Sequence, residues 1–160
     1  MPQGAPLGRR TASVPAEKVL EQGPTDASWR SELFGSRILI IEDDYFLAFE
    51  LRSEFVRHGA EIIGPFGELD LALDLANAAR RVDAAVVDIN LHGELSFPVV
   101  DALIKRDIPV AYWTGYDVDV LPYRQRHITR FTKPVSACAV AQGLARLLAE
   151  HRLEGGGPSE

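Results

Sequence analysis

The residue types best suited to chemistry stand where predicted β-strands end. They are Glu42 and Asp43 after the first strand, Asp88 after the third, Thr114 at the end of the fourth and Lys133 after the fifth. Neighbouring carboxylates repel one another unless a cation neutralises them, and an all-oxygen cluster suits Mg²⁺. A carboxylate beside Mg²⁺ can take up a phosphoryl group as an aspartyl phosphate. In such a site Lys133 offers a positive charge and Thr114 a hydroxyl to the phosphoryl oxygens.

These side chains need a fold that brings the strand ends together. Apolar runs predict five strands, at 37–42, 61–66, 83–88, 109–114 and 127–132, and a 3.6-residue period predicts helices at 45–58, 68–80, 97–106 and 136–150. Alternating strands and helices imply βαβ units and a parallel sheet. We therefore expect one doubly wound α/β domain whose five strands follow the flavodoxin-like order 2-1-3-4-5. The carboxyl ends of parallel strands share one edge, where open α/β sheets bind ligands.

The composition excludes several classes of protein. The chain of 160 residues is 46% hydrophobic and 25% charged, as in an ordinary globular domain. No apolar run approaches the ~20 residues that span a bilayer, so we expect no membrane segment. A single Cys excludes a disulfide framework and suits the cytoplasm. The net charge of −6 argues against nucleic acid as a partner.

The two ends of the chain differ from its middle. Residues 1–36 contain four Gly, four Pro and four Ser without a sustained period, which predicts a flexible N-terminal extension. Within it, residues 27–34 offer the alternative of a short helix that is capped by Ser28 and docks through Trp29, Leu33 and Phe34. Residues 37–152 form the predicted domain, and 153–160 a flexible tail.

Four blocks of the sequence resemble the conserved blocks of response regulator receiver domains. They lie at 38–44, 86–91, 114–115 and 132–134, each at a predicted strand end. The block 112–116, Tyr-Trp-Thr-Gly-Tyr, is similar to the Phe-Ala-Thr-Gly-X-Tyr block of the "FAT GUY" branch, which is common in alphaproteobacteria. The resemblance covers roughly residues 37–152.

The resemblance implies a role for each residue of the predicted site. Asp88 would be the phosphoacceptor, charged by a sensor histidine kinase or a histidine phosphotransfer protein. Asp43 and Asp88 would bind Mg²⁺, with Glu42 contributing directly or through water and the backbone carbonyl of Asn90 as a further ligand. Lys133 would contact the phosphoryl group.

The resemblance also implies a switch, with two departures from the family pattern. Thr114 would be the switch hydroxyl. Arg130 occupies the position three residues before Lys133, where ordinary receivers carry Tyr or Phe, so Tyr116 is the candidate for the switch aromatic. Trp113 replaces a small residue before Thr114. Its indole either crowds the switch or projects onto the face where helices pack.

The implied function is that of a single-domain response regulator in a two-component phosphorelay. It would be no enzyme beyond assisting its own phosphorylation and dephosphorylation, and would signal through contacts with a downstream protein or act as a phosphate sink. The oligomeric state stays open, a homodimer included. One alternative is a receiver-like binding module that works without phosphorylation, which Trp113 and Arg130 keep open. Another is a small aspartyl-phosphate phosphatase, against which Asn90 stands where such enzymes place a second Asp.

Overall fold

The computed structural model describes residues 28–78 and 80–155. The strands are β1 (Arg37–Ile41), β2 (Glu61–Phe66), β3 (Ala84–Val87), β4 (Asn90–Leu91), β5 (Glu94–Leu95), β6 (Val110–Thr114) and β7 (Thr129–Thr132). The helices are α1 (Ser28–Leu33), α2 (Tyr45–Arg57), α3 (Leu69–Asn77), α4 (Phe97–Lys105) and α5 (Ala137–Leu153). Among the described residues, no helix has both the length and the apolar character needed to cross a membrane.

Five strands form one parallel sheet in the order β2-β1-β3-β6-β7. Counted within this sheet, the order is the predicted 2-1-3-4-5, so the predicted doubly wound α/β fold is confirmed. The predicted strands and helices all occur, with ends that differ from the prediction by at most three residues. The sequence analysis missed the small antiparallel hairpin of β4 and β5 between β3 and α4.

Alternation along each strand divides the core into two layers. Ile38 and Ile40 face the layer formed with α2 and α5, which also contains Trp113. Leu39 and Ile41 face the layer formed with α3 and α4. Because β1 is buried on both faces, the four residues that follow Arg37 form an unbroken apolar run.

The beginning of α2 sorts the three consecutive acids that follow β1. Oδ1 of Asp44 accepts hydrogen bonds from the backbone N–H groups of Phe46 and Leu47, at 2.9 and 3.0 Å, and so caps the helix. The Asp44 carboxylate therefore serves as the N-cap of α2. Glu42 and Asp43 remain for the sheet edge.

In residues 28–36 the structure agrees with the alternative of a short helix and not with a flexible extension. Residues Ser28–Leu33 form α1, which packs on α5, and Leu33 is fully buried. Arg152 Nη1 lies 2.6 Å from Glu32 Oε2 and ties α1 to the end of α5. Burial of Leu33 and this ion pair order a segment whose composition resembles that of a linker. Residues 1–27 and 156–160 lie outside the described part. The predicted tail also begins later, since α5 runs through Leu153 and a turn follows.

The segment between β6 and β7 contains two short 3-10 helices, Val118–Val120 and Tyr123–Gln125. The sequence predicts an irregular or weakly helical stretch over 117–125. A buried network holds it in place: the Tyr112 hydroxyl donates to Gln125 Oε1 at 2.5 Å, and Gln125 Nε2 donates to Asp101 Oδ1 at 2.7 Å. Arg124 pairs with the same Asp101. The network joins the segment after the predicted switch to α4.

Candidate functional site

The predicted side chains meet at the carboxyl edge of the sheet. Glu42 and Asp43 follow β1, and Asp88 follows β3. Each of the three offers a carboxylate oxygen, and these atoms lie within 4.8 Å of one another. Glu42, Asp43 and Asp88 are called the acidic cluster below. Positions 45 residues apart along the chain converge here because β1 and β3 are parallel neighbours.

Lys133 reaches across the sheet edge to the acidic cluster. Its Nζ lies 2.8 Å from Glu42 Oε2 and 3.0 Å from Asp88 Oδ2. Its backbone N–H donates to the carbonyl of Thr114 at 2.8 Å, which fixes where the side chain starts. Burial by itself lowers the pKa of the Lys133 ammonium, but the hydrogen bonds to Glu42 and Asp88 outweigh it and hold that pKa above its ordinary value. Lys133 is thus a positive charge fixed between two carboxylates.

The acids of the cluster differ in their environments. Burial raises the pKa of Glu42 to about 7, against the opposing hydrogen bonds from Lys133 and from the Asp44 backbone N–H. Partial burial also favours a higher pKa for Asp43, but the hydrogen bond from the His92 backbone N–H, at 2.9 Å, and further hydrogen bonds hold the pKa of Asp43 below its ordinary value. Glu42 and Asp43 thus differ in the direction of their pKa shifts although they are adjacent in the sequence.

The donor set fits a hard divalent cation. Three carboxylates within a few ångström supply the oxygen ligands that Mg²⁺ and Ca²⁺ prefer, and Asp43 keeps the cluster partly open to water. Burial makes the ionised form of Glu42 costly, and a cation bound beside it would offset that cost. Two points stay predictions: that the ion is Mg²⁺, and that the Asn90 carbonyl is one of its ligands.

Thr114 ends β6, the strand next to β3, and Tyr116 follows it by two residues. Thr114 is fully buried, and its Oγ1 accepts a hydrogen bond from the Tyr116 backbone N–H at 3.3 Å. The Tyr116 hydroxyl accepts a hydrogen bond from Asn90 Nδ2 at 2.9 Å. The predicted switch aromatic therefore contacts the loop that follows Asp88. The roles of both residues in a switch stay predictions.

The sequence analysis missed two contacts of the site. Ser96 is fully buried, and its Oγ donates to the backbone carbonyl of Asp88 at 2.5 Å. A Ser before a helix suggests an N-cap, yet this hydroxyl makes no capping bond and instead fixes the loop of the phosphoacceptor candidate. His92 has a positive φ of 51°, which turns its N–H toward Asp43. The sequence gives no local signal for either contact because each depends on the β4–β5 hairpin.

Structure comparison identifies the family. SdrG from Sphingomonas melonis Fr1 is 35% identical to this chain, with a TM-score of 0.62, and the alignment covers 71% of this chain and 97% of SdrG. The chain belongs to the response regulator receiver family. Neither the protein-family models nor the curated proteins gave a match to the sequence.

Two more distant receivers share the fold. A CheY-like receiver domain protein from Methanospirillum hungatei JF-1 is 19% identical, with a TM-score of 0.64 and coverage of 76% of this chain and 99% of that one. A response regulator from Burkholderia pseudomallei is 21% identical, with a TM-score of 0.58 and coverage of 75% and 72%. The Burkholderia structure contains a phosphorylated aspartic acid, a calcium ion and citrate.

Trp113 and Arg130, the two departures from the family pattern, lie in different environments in this receiver. Trp113 is 2% exposed and projects into the layer formed with α2 and α5, the second of the two predicted placements. It therefore lies on the opposite face of β6 from Thr114 and leaves the switch side free. Arg130 is half-buried, and its Nη1 has no hydrogen-bond partner among the described residues.

Proposed function

We propose that Asp88 of this receiver accepts a phosphoryl group from a sensor histidine kinase or a histidine phosphotransfer protein. The observation that carries the proposal is the Lys133 ammonium, which lies 3.0 Å from Asp88 Oδ2 within a cluster of three carboxylates. A surface acid would not need a cation fixed beside it. A phosphoryl acceptor does, because transfer depends on neutralising the charge of the phosphoryl oxygens.

In the proposed reaction an Asp88 oxygen attacks the phosphorus of a phosphohistidine. A P–O bond forms, the P–N bond breaks, and the leaving imidazole takes up a proton. Mg²⁺, when bound, supplies further positive charge on the phosphoryl oxygens. The acidic cluster and the Asn90 carbonyl are the groups proposed to hold it. A phosphorylated aspartic acid together with a divalent cation in the Burkholderia receiver supports this assignment.

The residues around Asp88 then have separate tasks. The Lys133 ammonium moves from Glu42 toward a phosphoryl oxygen while it stays within reach of Asp88. The Thr114 hydroxyl donates to another phosphoryl oxygen and no longer accepts the hydrogen bond from the Tyr116 N–H. The segment after β6 therefore shifts. The negative charge of the phosphoryl group thereby shifts this segment from one conformation toward another. We propose that the signal leaves through protein contacts of this segment, or that the receiver serves as a phosphate sink, in the cytoplasm.

Phosphorylation by a small-molecule donor tests the proposal without the cognate kinase. The protein is incubated with acetyl phosphate or phosphoramidate and Mg²⁺, and its intact mass is measured. We expect one phosphoryl adduct that is base-labile and absent without Mg²⁺. Asp88→Asn should abolish the adduct. Asp107→Asn, an exposed acid in the turn between α4 and β6 at the opposite edge of the sheet, is the matched control and should leave the adduct unchanged.

The other two functions give different results in the same experiment. No adduct from any donor or kinase, with the protein folded, would favour the binding module. Rapid hydrolysis of unrelated phosphate esters would favour the phosphatase. An adduct that persists in Asp88→Asn would contradict the assignment of the acceptor.

A further inference from the structure

Trp113 is the largest fully buried side chain that lies next to the site. It precedes Thr114 on β6 and pairs in register with Phe131 of β7. Its Nε1 has no hydrogen-bond partner among the described residues. The ring, rather than its N–H group, is thus the part of Trp113 that contacts polar neighbours.

The Lys133 ammonium lies over the face of this ring. Its Nζ is 5.1 Å from the centroid of the Trp113 ring, within the range of a cation–π contact. The hydrogen bond from the Lys133 N–H to the Thr114 carbonyl joins the two residues through their backbones. The pairing of β6 and β7 thus places the start of the Lys133 side chain beside β6, and its ammonium reaches the ring through the side chain.

Without the Trp113 ring, the Lys133 ammonium can turn toward a neighbouring pocket. A surface pocket beside the Lys133 side chain is lined by Leu47, Glu50, Trp113, Pro134 and Val135, among others. Glu50 is exposed and offers a competing carboxylate there. A lysine side chain has four rotatable bonds, so contacts along its length decide which acid it meets.

We propose that Trp113 is a positioning residue whose ring face holds the Lys133 ammonium at the acidic cluster and away from the neighbouring pocket. The proposal rests on the proposed phosphoryl transfer to Asp88. During that transfer Lys133 exchanges Glu42 for a phosphoryl oxygen, while the ring stays in place beneath the ammonium. Removing the ring should slow phosphoryl uptake by about threefold to tenfold, as expected for a partly desolvated cation–π contact.

The experiment compares Trp113→Phe, Trp113→Leu and Phe55→Leu. Phe55 is fully buried in the same core layer, in the last turns of α2, and is the matched control for lost packing. Phosphoryl uptake from acetyl phosphate with Mg²⁺ is followed by intact mass. The ε-methylene resonances of ¹³C-labelled lysine are recorded in parallel. The chain has three lysines, and Lys133→Arg assigns the signal of interest.

The ring current of Trp113 should shift the Lys133 ε-methylene protons upfield in the native protein. We expect Trp113→Leu to lose the shift and to take up the phosphoryl group about threefold to tenfold more slowly. Trp113→Phe should retain part of the shift and of the rate, and Phe55→Leu should keep both. The Phe variant keeps an aromatic core, so it carries the test if the Leu variant does not fold. Unchanged resonances in both Trp113 variants would overturn the proposal, as would an equal loss of uptake rate in Phe55→Leu.

The two proposals fail in different ways. If the native protein forms no adduct, the proposed function is contradicted, while the lysine resonances still report whether the ring holds the ammonium. If the native protein forms the adduct and the Trp113 variants form it at the native rate, only the positioning role of Trp113 is contradicted.

Discussion

Glu42→Gln should remove a pH-dependent cost to stability. Burial raises the pKa of Glu42 from its ordinary value of 4.5 to about 7 in the folded protein. Between these two values the folded state holds more protons than the unfolded state, so stability falls as pH rises. The side chain of Glu42 is 2% exposed, so solvent does little to screen the effect. The loss amounts to about 2–3 kcal/mol between pH 5 and pH 8.

Urea unfolding at pH 5 and pH 8 measures this loss. Gln mimics the protonated side chain and has no carboxylate to ionise. Native protein should therefore lose about 2–3 kcal/mol relative to Glu42→Gln on going from pH 5 to pH 8. Saturating Mg²⁺ at pH 8 should restore more stability to the native protein than to the variant, because binding to the folded state stabilises it. If the free energies of unfolding of the two proteins differed by the same amount at both pH values, the link between Glu42 ionisation and stability would be refuted.

Three substitutions test packing around the site by urea unfolding. Leu33→Ala should cost about 2–4 kcal/mol because the fully buried side chain leaves a cavity under α1; a loss near zero would mean that α1 does not pack. Ser96→Ala should cost about 1–2 kcal/mol by removing the hydrogen bond to the Asp88 carbonyl, and should slow phosphoryl uptake; native stability and rate would contradict this role. Gly143→Ala should destabilise by about 1–3 kcal/mol despite the helix preference of Ala, since its Cβ would clash with the Phe131 ring; a stabilised variant would show that the ring moves freely.

The sheet was predictable because its signals are local. The run Arg37–Ile41 is apolar at four of its five positions since β1 is buried on both faces, and the helices follow a 3.6-residue period. Helix α1 was harder to predict. Its six residues bury one leucine fully and depend on α5, more than 100 residues away, for their ordering. Tertiary contacts of this kind leave little trace in a short segment.

The acidic cluster was predictable for a geometric reason. Once strands are parallel, their carboxyl ends share an edge, so Asp88 and Lys133 must meet Glu42 there. The direction of side chains within the core needed the structure. The alternation of β6 sends Trp113 and Thr114 to opposite faces, yet the contact of the indole with Lys133 depends on where the lysine side chain lies.

Localising the phosphoryl group tests the central claim most directly. After incubation with acetyl phosphate and Mg²⁺, borohydride reduces an aspartyl phosphate to homoserine, which peptide mass spectrometry places in the sequence. The structure predicts homoserine at position 88 alone, and none without Mg²⁺. Homoserine at another acid of the chain, or a phosphoryl adduct that yields no homoserine at position 88, would contradict the assignment of Asp88.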